Sequence, residues 1–116
     1  KYNNTVIISL SGNPTAALTT FELLARTSLE RMSGGIKIEI KREKAVLLND
    51  FNKKSPQRRF LRGQLQYMDG KQCVYITQVK SGNGILSSTL NSNCIIELEA
   101  GNAGVSQGTM VDIIKF

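Results

Sequence analysis

The tripeptide Gly12-Asn13-Pro14 stands where an apolar run gives way to a helical pattern. N–H groups in the first turn of a helix lack partners within the helix, and together with the positive end of the helix dipole they attract anions. A glycine at such a junction lets a ligand approach the main chain closely. The tripeptide is therefore a candidate anion site. The alternative is that Asn13 and Pro14 only cap the helix, since no Gly-Lys-Ser/Thr follows to complete a phosphate-binding loop.

A second candidate is a run of cations between residues 53 and 62. A guanidinium presents several N–H donors in a planar fork that fits the oxygens of an oxyanion such as phosphate. Arg58 and Arg62 are therefore candidate oxyanion contacts, and the alternative is that the run is a solvated basic surface. The members of the run are Lys53, Lys54, Arg58, Arg59 and Arg62.

Small polar side chains are concentrated between residues 81 and 88, where the sequence reads Ser-Gly-Asn-Gly-Ile-Leu-Ser-Ser. Main-chain N–H groups in such turns, together with hydroxyl groups, can bind anions. The candidate contacts are Ser81, Asn83, Ser87 and Ser88. Many turns of this composition bind no ligand, and that alternative stays open.

The composition excludes several kinds of site. Without histidine the chain cannot form the usual serine or cysteine triads, and without a Cys-x-x-Cys pair a zinc site is not expected. We therefore assign no catalytic residue and no metal ligand. Cys73 and Cys94 lie within apolar, strand-like runs, which predicts small buried side chains in the reduced state, although a disulfide stays open. No apolar run approaches the ~20 residues that span a bilayer, so no membrane partner is expected.

The positive charge is confined to one part of the chain. Residues 37–62 contain nine Lys or Arg residues and three acids, so they carry the whole net charge of +6. A local excess of this kind favours an anionic partner. Nucleic acid is not the expected partner, because aromatic residues make up 6% of the chain and there is no Trp to stack on bases.

The elements that must position these residues begin with a strand and a helix. Thr5–Leu10 is a short apolar run rich in β-branched residues, which predicts a buried strand of a parallel sheet. Apolar residues then recur at helical spacing up to Met32, with Asn13 as the N-cap and Pro14 at the first helical position. Gly34-Gly35 ends the helix.

From residue 36 the period changes to that of short strands. Ile36–Lys41 alternates apolar and charged residues, which predicts a half-exposed strand, and Ala45–Leu48 is expected to pair with it. Asp69-Gly70 predicts a tight hairpin turn. The later strands are predicted at Arg58–Met68, Lys71–Val79, Cys94–Leu98 and Met110–Lys115.

This order predicts a mostly β chain with two parts. Residues 35–116, with about six short strands, are expected to form a small C-terminal β-barrel or sandwich domain. Residues 1–34 are expected to be the closing strand–helix unit of an α/β domain whose other elements lie upstream, because one strand and one helix cannot build a core of their own.

Taken in order, these segments resemble the C-terminal third of the MoeA/gephyrin family. Leu10-Ser-Gly-Asn-Pro14 resembles that family's Leu-Pro-Gly-Asn-Pro signature, and the run from Lys53 to Gly63 is similar to the opening of its C-terminal β domain. Residues 81–88, followed by Asn93, resemble its Gln-Gly-Ser-x-x-x-Ser-Ser element. Gly108-Thr-Met-Val-Asp112 is similar to its closing strand, so the resemblance covers nearly all 116 residues.

The resemblance implies a molybdopterin molybdotransferase. Members of the family insert molybdenum from the substrate molybdate into adenylylated molybdopterin, with Mg²⁺. They act as cytoplasmic homodimers whose cleft combines the α/β domain of one subunit with the C-terminal domain of the other. By this resemblance Gly12, Asn13 and Pro14 line the pterin-phosphate or molybdate side, and Arg58 or Arg62 contacts the oxyanion together with residues 81–88. The Mg²⁺ ligands are expected upstream.

The chain also departs from the family pattern. Ser11 stands in place of the first motif proline, and the serine-rich loop reads Ser-Gly-Asn instead of Gln-Gly-Ser. The arginine segment is one residue shorter than the pattern, so Arg58 and Arg59 both remain candidates for one family position.

Two functions outside catalysis remain as alternatives. One is a non-catalytic basic β-barrel that binds RNA or another polyanion, which salt-dependent oligonucleotide binding would reveal. The other is a structural dimerisation domain, which would dimerise through residues 36–116 alone.

Overall fold

The structure is a computed structural model that describes residues 3–36, 39–77 and 90–116. The chain divides into two compact units, Lys1–Ile40 and Lys41–Phe116. The division follows Ile40, whereas the sequence pattern placed a domain boundary after residue 34. Within the described residues, no helix is both long and apolar enough to cross a membrane.

The Lys1–Ile40 unit contains the predicted helix. It consists of α1 (Pro14–Thr20), a π-helical turn (Phe21–Ala25) and α2 (Arg26–Met32). The apolar periodicity predicted the length of the helix but not the π-helical turn, because a single wide turn hardly changes the spacing of apolar side chains. Among the described residues of this unit Ala25 alone is buried, and Leu24, Leu29 and Met32 of the apolar stripe are exposed.

Both ends of the helix are formed as predicted. Asn13 is the N-cap, and its Oδ1 accepts hydrogen bonds from the N–H groups of Thr15 at 3.0 Å and Ala16 at 3.4 Å. Pro14 occupies the first helical position. An N–H at this position would have no partner within the helix, so proline costs no hydrogen bond here. Gly34 follows the last turn with a φ of +87°, a conformation that glycine adopts without strain.

The strands predicted on either side of this helix are not formed in the described residues. Thr5 makes an isolated bridge, Val6–Leu10 lie outside any strand, and Ile7 is 68% exposed. In the second run, Ile36 and residues 39–41 also lie outside strands, and residues 37–38 fall outside the described part. An extended segment becomes a strand only when a neighbour supplies main-chain partners over several residues, and among the described residues of these two runs Thr5 alone makes a bridge. Neither run is therefore a strand in its described residues, and the prediction for residues 37–38 stays a prediction.

The second unit is a closed five-stranded barrel, which confirms the mostly β fold class. Around the barrel the order is β1-β3-β2-β4-β5, and β5 closes the barrel on β1. The described residues form five strands, whereas about six were predicted for residues 35–116. The strands are β1 (Glu43–Leu47), β2 (Arg59–Met68), β3 (Lys71–Ile76), β4 (Cys94–Leu98) and β5 (Met110–Lys115).

β2 and β3 form the predicted hairpin. Their register pairs Met68 with Lys71, so Asp69 and Gly70 are the two turn residues. Both have positive φ, at 51° and 75°, as a type I′ turn requires. The Asp-Gly pair was therefore a sufficient signal for this turn.

The neighbours of β1 differ from the prediction. Nearness in sequence favours pairing of Ala45–Leu48 with Ile36–Lys41. Instead, β1 pairs antiparallel with β5, where Ala45 faces Val111, and parallel with β3, where Val46 faces Cys73. β1 thus lies between two strands from later parts of the chain, and the barrel depends on long-range contacts.

Two asparagine side chains extend the barrel's hydrogen-bonded ladder. Asn49 donates from Nδ2 to Ile76 O at 3.1 Å and accepts from Ile76 N–H at 2.9 Å. Asn93 bonds Leu65 in the same way, at 3.0 Å and 2.7 Å. Each amide therefore satisfies a main-chain donor and acceptor at a position where the adjoining strand has ended.

Alternate residues of the five strands point into one core. The fully buried members of this core include Leu47, Ile96 and Ile113, each with no exposed surface. Gly63 of β2 faces the same core without a side chain. A Cβ at this position would lie 2.7 Å from Ile96 Cδ1 and 2.9 Å from Val74 Cγ2, so a side chain here would require these core side chains to shift.

Cys73 and Cys94 are buried, as predicted, and both are free in the structure. Burial raises the pKa of the Cys94 thiol to about 11, so roughly a thousandth of it is thiolate at pH 8. We expect an aromatic disulfide reagent at pH 8 to modify Cys94 in a Cys73→Ala variant only as fast as the barrel opens. Stoichiometric reaction of the folded protein within seconds would contradict this expectation.

Candidate oxyanion site

Gly12, Asn13 and Pro14 are exposed at the N-terminus of α1. The Asn13 side chain accepts bonds from two N–H groups of the first turn, and the Asn13 N–H donates to Ser11 Oγ at 3.2 Å. No described atom lies within 4 Å of a Cβ built on Gly12, so the main chain there has open space beside it. The capping alternative is therefore realised, and ligand contact by these residues stays a prediction.

Arg58 lies just before β2 and is held by two acids from β4 and the residue after it. Arg58 Nη1 lies 3.0 Å from Glu97 Oε1, and Arg58 Nη2 lies 3.5 Å from Glu99 Oε2. The side chain of Arg58 is 49% exposed, whereas that of Glu97 is 5% exposed. A carboxylate buried at this level restricts the orientation of the guanidinium that it binds. Arg58 is thus oriented and still accessible to a ligand.

A second guanidinium, that of Arg42, binds the same buried carboxylate. Arg42 Nε lies 2.5 Å from Glu97 Oε2, and the Arg42 side chain is 45% exposed. This hydrogen bond raises the pKa of Arg42 above its ordinary value, so the guanidinium stays charged throughout the physiological range. Glu97 therefore binds two arginines, one from the segment before β1 and one from the segment before β2.

Arg42 is the first of three consecutive residues that join the entry of β1 to β4 and β5 by ion pairs. Glu43 Oε2 lies 2.6 Å from Lys115 Nζ, and Lys44 Nζ lies 2.8 Å from Asp112 Oδ1. The hydrogen bond from Lys115 lowers the pKa of Glu43. Three of the cations that gave the sequence its local positive excess, Arg42, Lys44 and Arg58, are thus paired with acids in β4, in β5 or directly after β4. This pairing weakens the alternative of a polyanion-binding barrel.

Arg62 has a different environment from Arg58. Arg62 is 9% exposed, and its guanidinium lies over the ring of Phe116, 4.7 Å from the ring centroid. The Arg62 carbonyl accepts hydrogen bonds from Thr77 N–H and Thr77 Oγ1, both at 3.0 Å. Arg62 therefore packs against the barrel, and its contact with an oxyanion stays a prediction.

The structure separates Arg58 from Arg59, which the sequence could not do. Arg59 donates from Nη2 to Lys54 O at 3.2 Å and lies over the Phe51 ring, 5.6 Å from its centroid. Phe51 belongs to the core cluster, so Arg59 covers part of the core. Arg58 is the member of the pair that meets Glu97 and Glu99.

Ser81, Asn83, Ser87 and Ser88 lie outside the described residues, and their predicted contacts stay predictions. Two described residues that flank this segment are bonded to neighbouring residues of β2. Thr77 bonds the Arg62 carbonyl, and Asn93 N–H donates to Gly63 O at 3.0 Å. β2 therefore holds the chain on both sides of the segment.

Sequence reasoning missed Glu97 and Arg42. A signal for Glu97 was present, because it is the one acid within the otherwise apolar strand Cys94–Leu98. A charge that is buried in such a strand needs a cation as its partner. No comparable signal marked Arg42, since its partner comes from β4, far along the chain.

No group of three or more His, Cys, Asp or Glu side chains in the described ranges could hold a metal ion. A shallow groove of about 440 Å³ lies on the barrel, and none of the predicted site residues lines it. Its lining residues are Lys44, Val46, Gly70, Lys71, Gln72 and Met110.

Known proteins resemble the chain in sequence. The family profile described as MoeA C-terminal region (domain IV) matches residues 44–116. The molybdopterin molybdenumtransferase of Staphylococcus aureus is 33% identical over 111 residues, which cover 93% of this chain and 26% of that protein. The protein of the same name from Staphylococcus epidermidis is 31% identical over 108 residues, with the same coverage. The chain thus spans about a quarter of the length of the curated relatives that it matches.

Solved structures resemble the chain in fold. A molybdopterin biosynthesis MoeA protein from Pyrococcus horikoshii superimposes with a TM-score of 0.71 and 29% identity, over 91% of this chain and 26% of that chain. A molybdenum cofactor biosynthesis protein from Pyrococcus furiosus gives a TM-score of 0.66 and 30% identity, over 91% of this chain and 37% of that chain. Sequence and fold therefore point to the same group of proteins.

Proposed function

The chain belongs to the MoeA family, as its C-terminal region, and from that premise we propose that the full-length protein is a molybdopterin molybdotransferase. In the proposed reaction, molybdenum from molybdate is inserted into adenylylated molybdopterin and AMP is released. The observation that carries the proposal is the likeness, along nearly the whole chain, to relatives that bear the name molybdopterin molybdenumtransferase. Those relatives are about four times as long, so the activity is proposed for the whole protein.

In this proposal the barrel supplies cations to an oxyanion substrate. The reaction exchanges ligands at molybdenum, which molybdate supplies, and its reactants carry phosphate or molybdate oxygens. Fixed cationic donors stabilise such groups without any change in protonation. Arg58 suits this function because it is half exposed and oriented by Glu97. Arg62, the tripeptide Gly12-Asn13-Pro14 and the hydroxyl groups between residues 81 and 88 complete the proposed contacts.

The proposal includes Mg²⁺, a homodimer and a cytoplasmic location, as the family resemblance implies. The described residues do not fit a magnesium site, because no cluster of three acids, histidines or cysteines occurs among them. We therefore assign no magnesium ligand to these residues and derive no step through the ion. In the proposed homodimer, this barrel faces the α/β domain of the partner subunit.

The proposed activity can be tested with the full-length protein and two arginine variants. We expect molybdate-dependent conversion of adenylylated molybdopterin, and we expect Arg58→Ala to lower kcat/KM at least tenfold, or about 1.4 kcal/mol of transition-state stabilisation. Arg62→Ala is expected to have an effect of similar size. The measurement is the rate of cofactor formation under single-turnover conditions.

Arg26→Ala is the matched control for Arg58→Ala. Arg26 is also 49% exposed and also binds a carboxylate, that of Glu22 at 2.7 Å, but it lies on the helix of the other unit. The control variant should keep the wild-type rate. A folded full-length protein without any conversion would contradict the enzyme assignment. Wild-type activity of both Arg58→Ala and Arg62→Ala would contradict a contribution of these barrel residues to the site.

A further inference from the structure

We propose that Arg42 and Arg58 together form one oxyanion-binding site, that Glu97 orients both guanidiniums, and that Glu99 competes with the ligand. The site takes a tetrahedral oxyanion, either inorganic phosphate, a phosphate group of a larger ligand, or molybdate. Its relevance to catalysis rests on the proposed function, whereas its existence can be tested by binding alone.

The first argument is that one carboxylate holds both guanidiniums. Glu97 Oε2 accepts from Arg42 Nε, and Glu97 Oε1 lies 3.0 Å from Arg58 Nη1. Two neighbouring cations would repel each other without an anion between them. The carboxylate removes that repulsion and fixes two long side chains that would otherwise lose rotamer entropy when they bind a ligand. The pair is thus organised before any oxyanion arrives.

The second argument concerns the donors that remain. Each guanidinium carries five N–H donors. Among the described residues, the hydrogen bonds and ion pairs of Arg42 use Nε alone, and those of Arg58 use Nη1 and Nη2. Both side chains are close to half exposed. Several donors therefore stay accessible on two adjacent forks, which suits a ligand with oxygens in more than one direction.

The third argument is that one acid competes for the same donors. The Glu99 side chain is 77% exposed. The 3.5 Å distance from Glu99 Oε2 to Arg58 Nη2 is the longest of the ion-pair distances described for Arg42 and Arg58. An exposed contact of this length contributes little and can be displaced. Glu97 cannot leave in the same way, since its carboxylate is buried between the two arginines. Glu97 is therefore a positioning residue, and Glu99 lowers the affinity of the site for anions.

Binding of inorganic phosphate and of molybdate to the full-length protein, measured by calorimetry at low ionic strength, tests the site. We expect Arg42→Ala to weaken binding at least about tenfold, because a charge-assisted bidentate contact is lost. Glu99→Gln is expected to tighten binding by about two- to fivefold, because an exposed competing charge is removed. Arg26→Ala should bind like the wild type. If Arg42→Ala does not fold, Arg42→Lys replaces it, and we expect weaker binding because an ammonium lacks the planar fork.

Three outcomes would overturn the inference. The first is wild-type affinity of a folded Arg42 variant, and the second is unchanged or weaker binding by Glu99→Gln. The third is absence of phosphate and molybdate binding by the wild type up to about 10 mM, a concentration well above a dissociation constant of about 1 mM. The proposed function fails separately. If the protein binds phosphate through Arg42 but forms no cofactor, the inferred oxyanion site stands and the proposed enzyme activity is contradicted.

Discussion

Gly63→Ala is expected to lower the free energy of unfolding of the barrel by about 1–3 kcal/mol, and Gly63→Leu is expected to prevent folding. The added Cβ would lie 2.7 Å from Ile96 Cδ1, 2.9 Å from Ile96 Cγ1 and 2.9 Å from Val74 Cγ2. These atoms belong to fully buried side chains on two different strands, so neither can move without disturbing the core. Urea unfolding followed by far-ultraviolet circular dichroism measures the change.

The steric explanation can be isolated by removing the atom that the new Cβ meets. Ile96→Val deletes Cδ1, the nearest atom to the added Cβ. We expect Gly63→Ala to be less destabilising in the Ile96→Val background, with a coupling energy of about 1 kcal/mol. Gln64→Ala is the matched control at the next, exposed position of β2 and should change stability by less than about 0.5 kcal/mol. Additive effects of Gly63→Ala and Ile96→Val would contradict the close approach.

Ile113→Ala is expected to lower the free energy of unfolding by about 2–5 kcal/mol, the usual cost of a large core deletion. Ile113 has no exposed surface, and it lies opposite Ile96 on β4 and Glu43 on β1. The deletion therefore opens a cavity where three strands meet. A loss of this size is a large part of the 5–15 kcal/mol that stabilises a typical domain, so we expect a much lower urea midpoint.

Met110→Ala on the same strand is the control for Ile113→Ala. Met110 is 54% exposed and loses few contacts on truncation, so the expected change is below about 0.5 kcal/mol. Equal losses for the two variants would mean that β5 does not direct Ile113 into the core. An unchanged m-value in both would show that the denatured state is unaffected, so that the difference arises in the folded barrel.

Adjacent residues of β4 connect this core with the candidate site. Ile96 points into the core, and Glu97 points outward to Arg42 and Arg58. The alternation of a β-strand makes the two directions inseparable, since a shift by one residue would exchange them. The packing that holds Ile96 in place therefore also fixes the carboxylate on which the two arginines depend.

Local signals accounted for the elements that formed as predicted. The helix from Pro14 to Met32 combined apolar periodicity with an N-cap, and the β2–β3 turn had an Asp-Gly pair, so each prediction used groups that are close in sequence. The strand positions of β2, β4 and β5 followed from short apolar runs between turn residues. The runs Thr5–Leu10 and Ile36–Lys41 had the same kind of local pattern, but apart from the bridge at Thr5 their described residues lie outside strands.

The sequence by itself therefore determined the mostly β class, the helix with its cap, the hairpin turn and the family. Only the tertiary structure decided that β1 lies between β3 and β5, that a side chain at Gly63 would crowd Ile96 and Val74, and that Arg58 rather than Arg59 meets the acids. It also revealed that Glu97 joins Arg42 to Arg58. Each of these facts depends on strands that are distant in sequence and meet when the barrel closes, and no short segment contains both partners of such a contact.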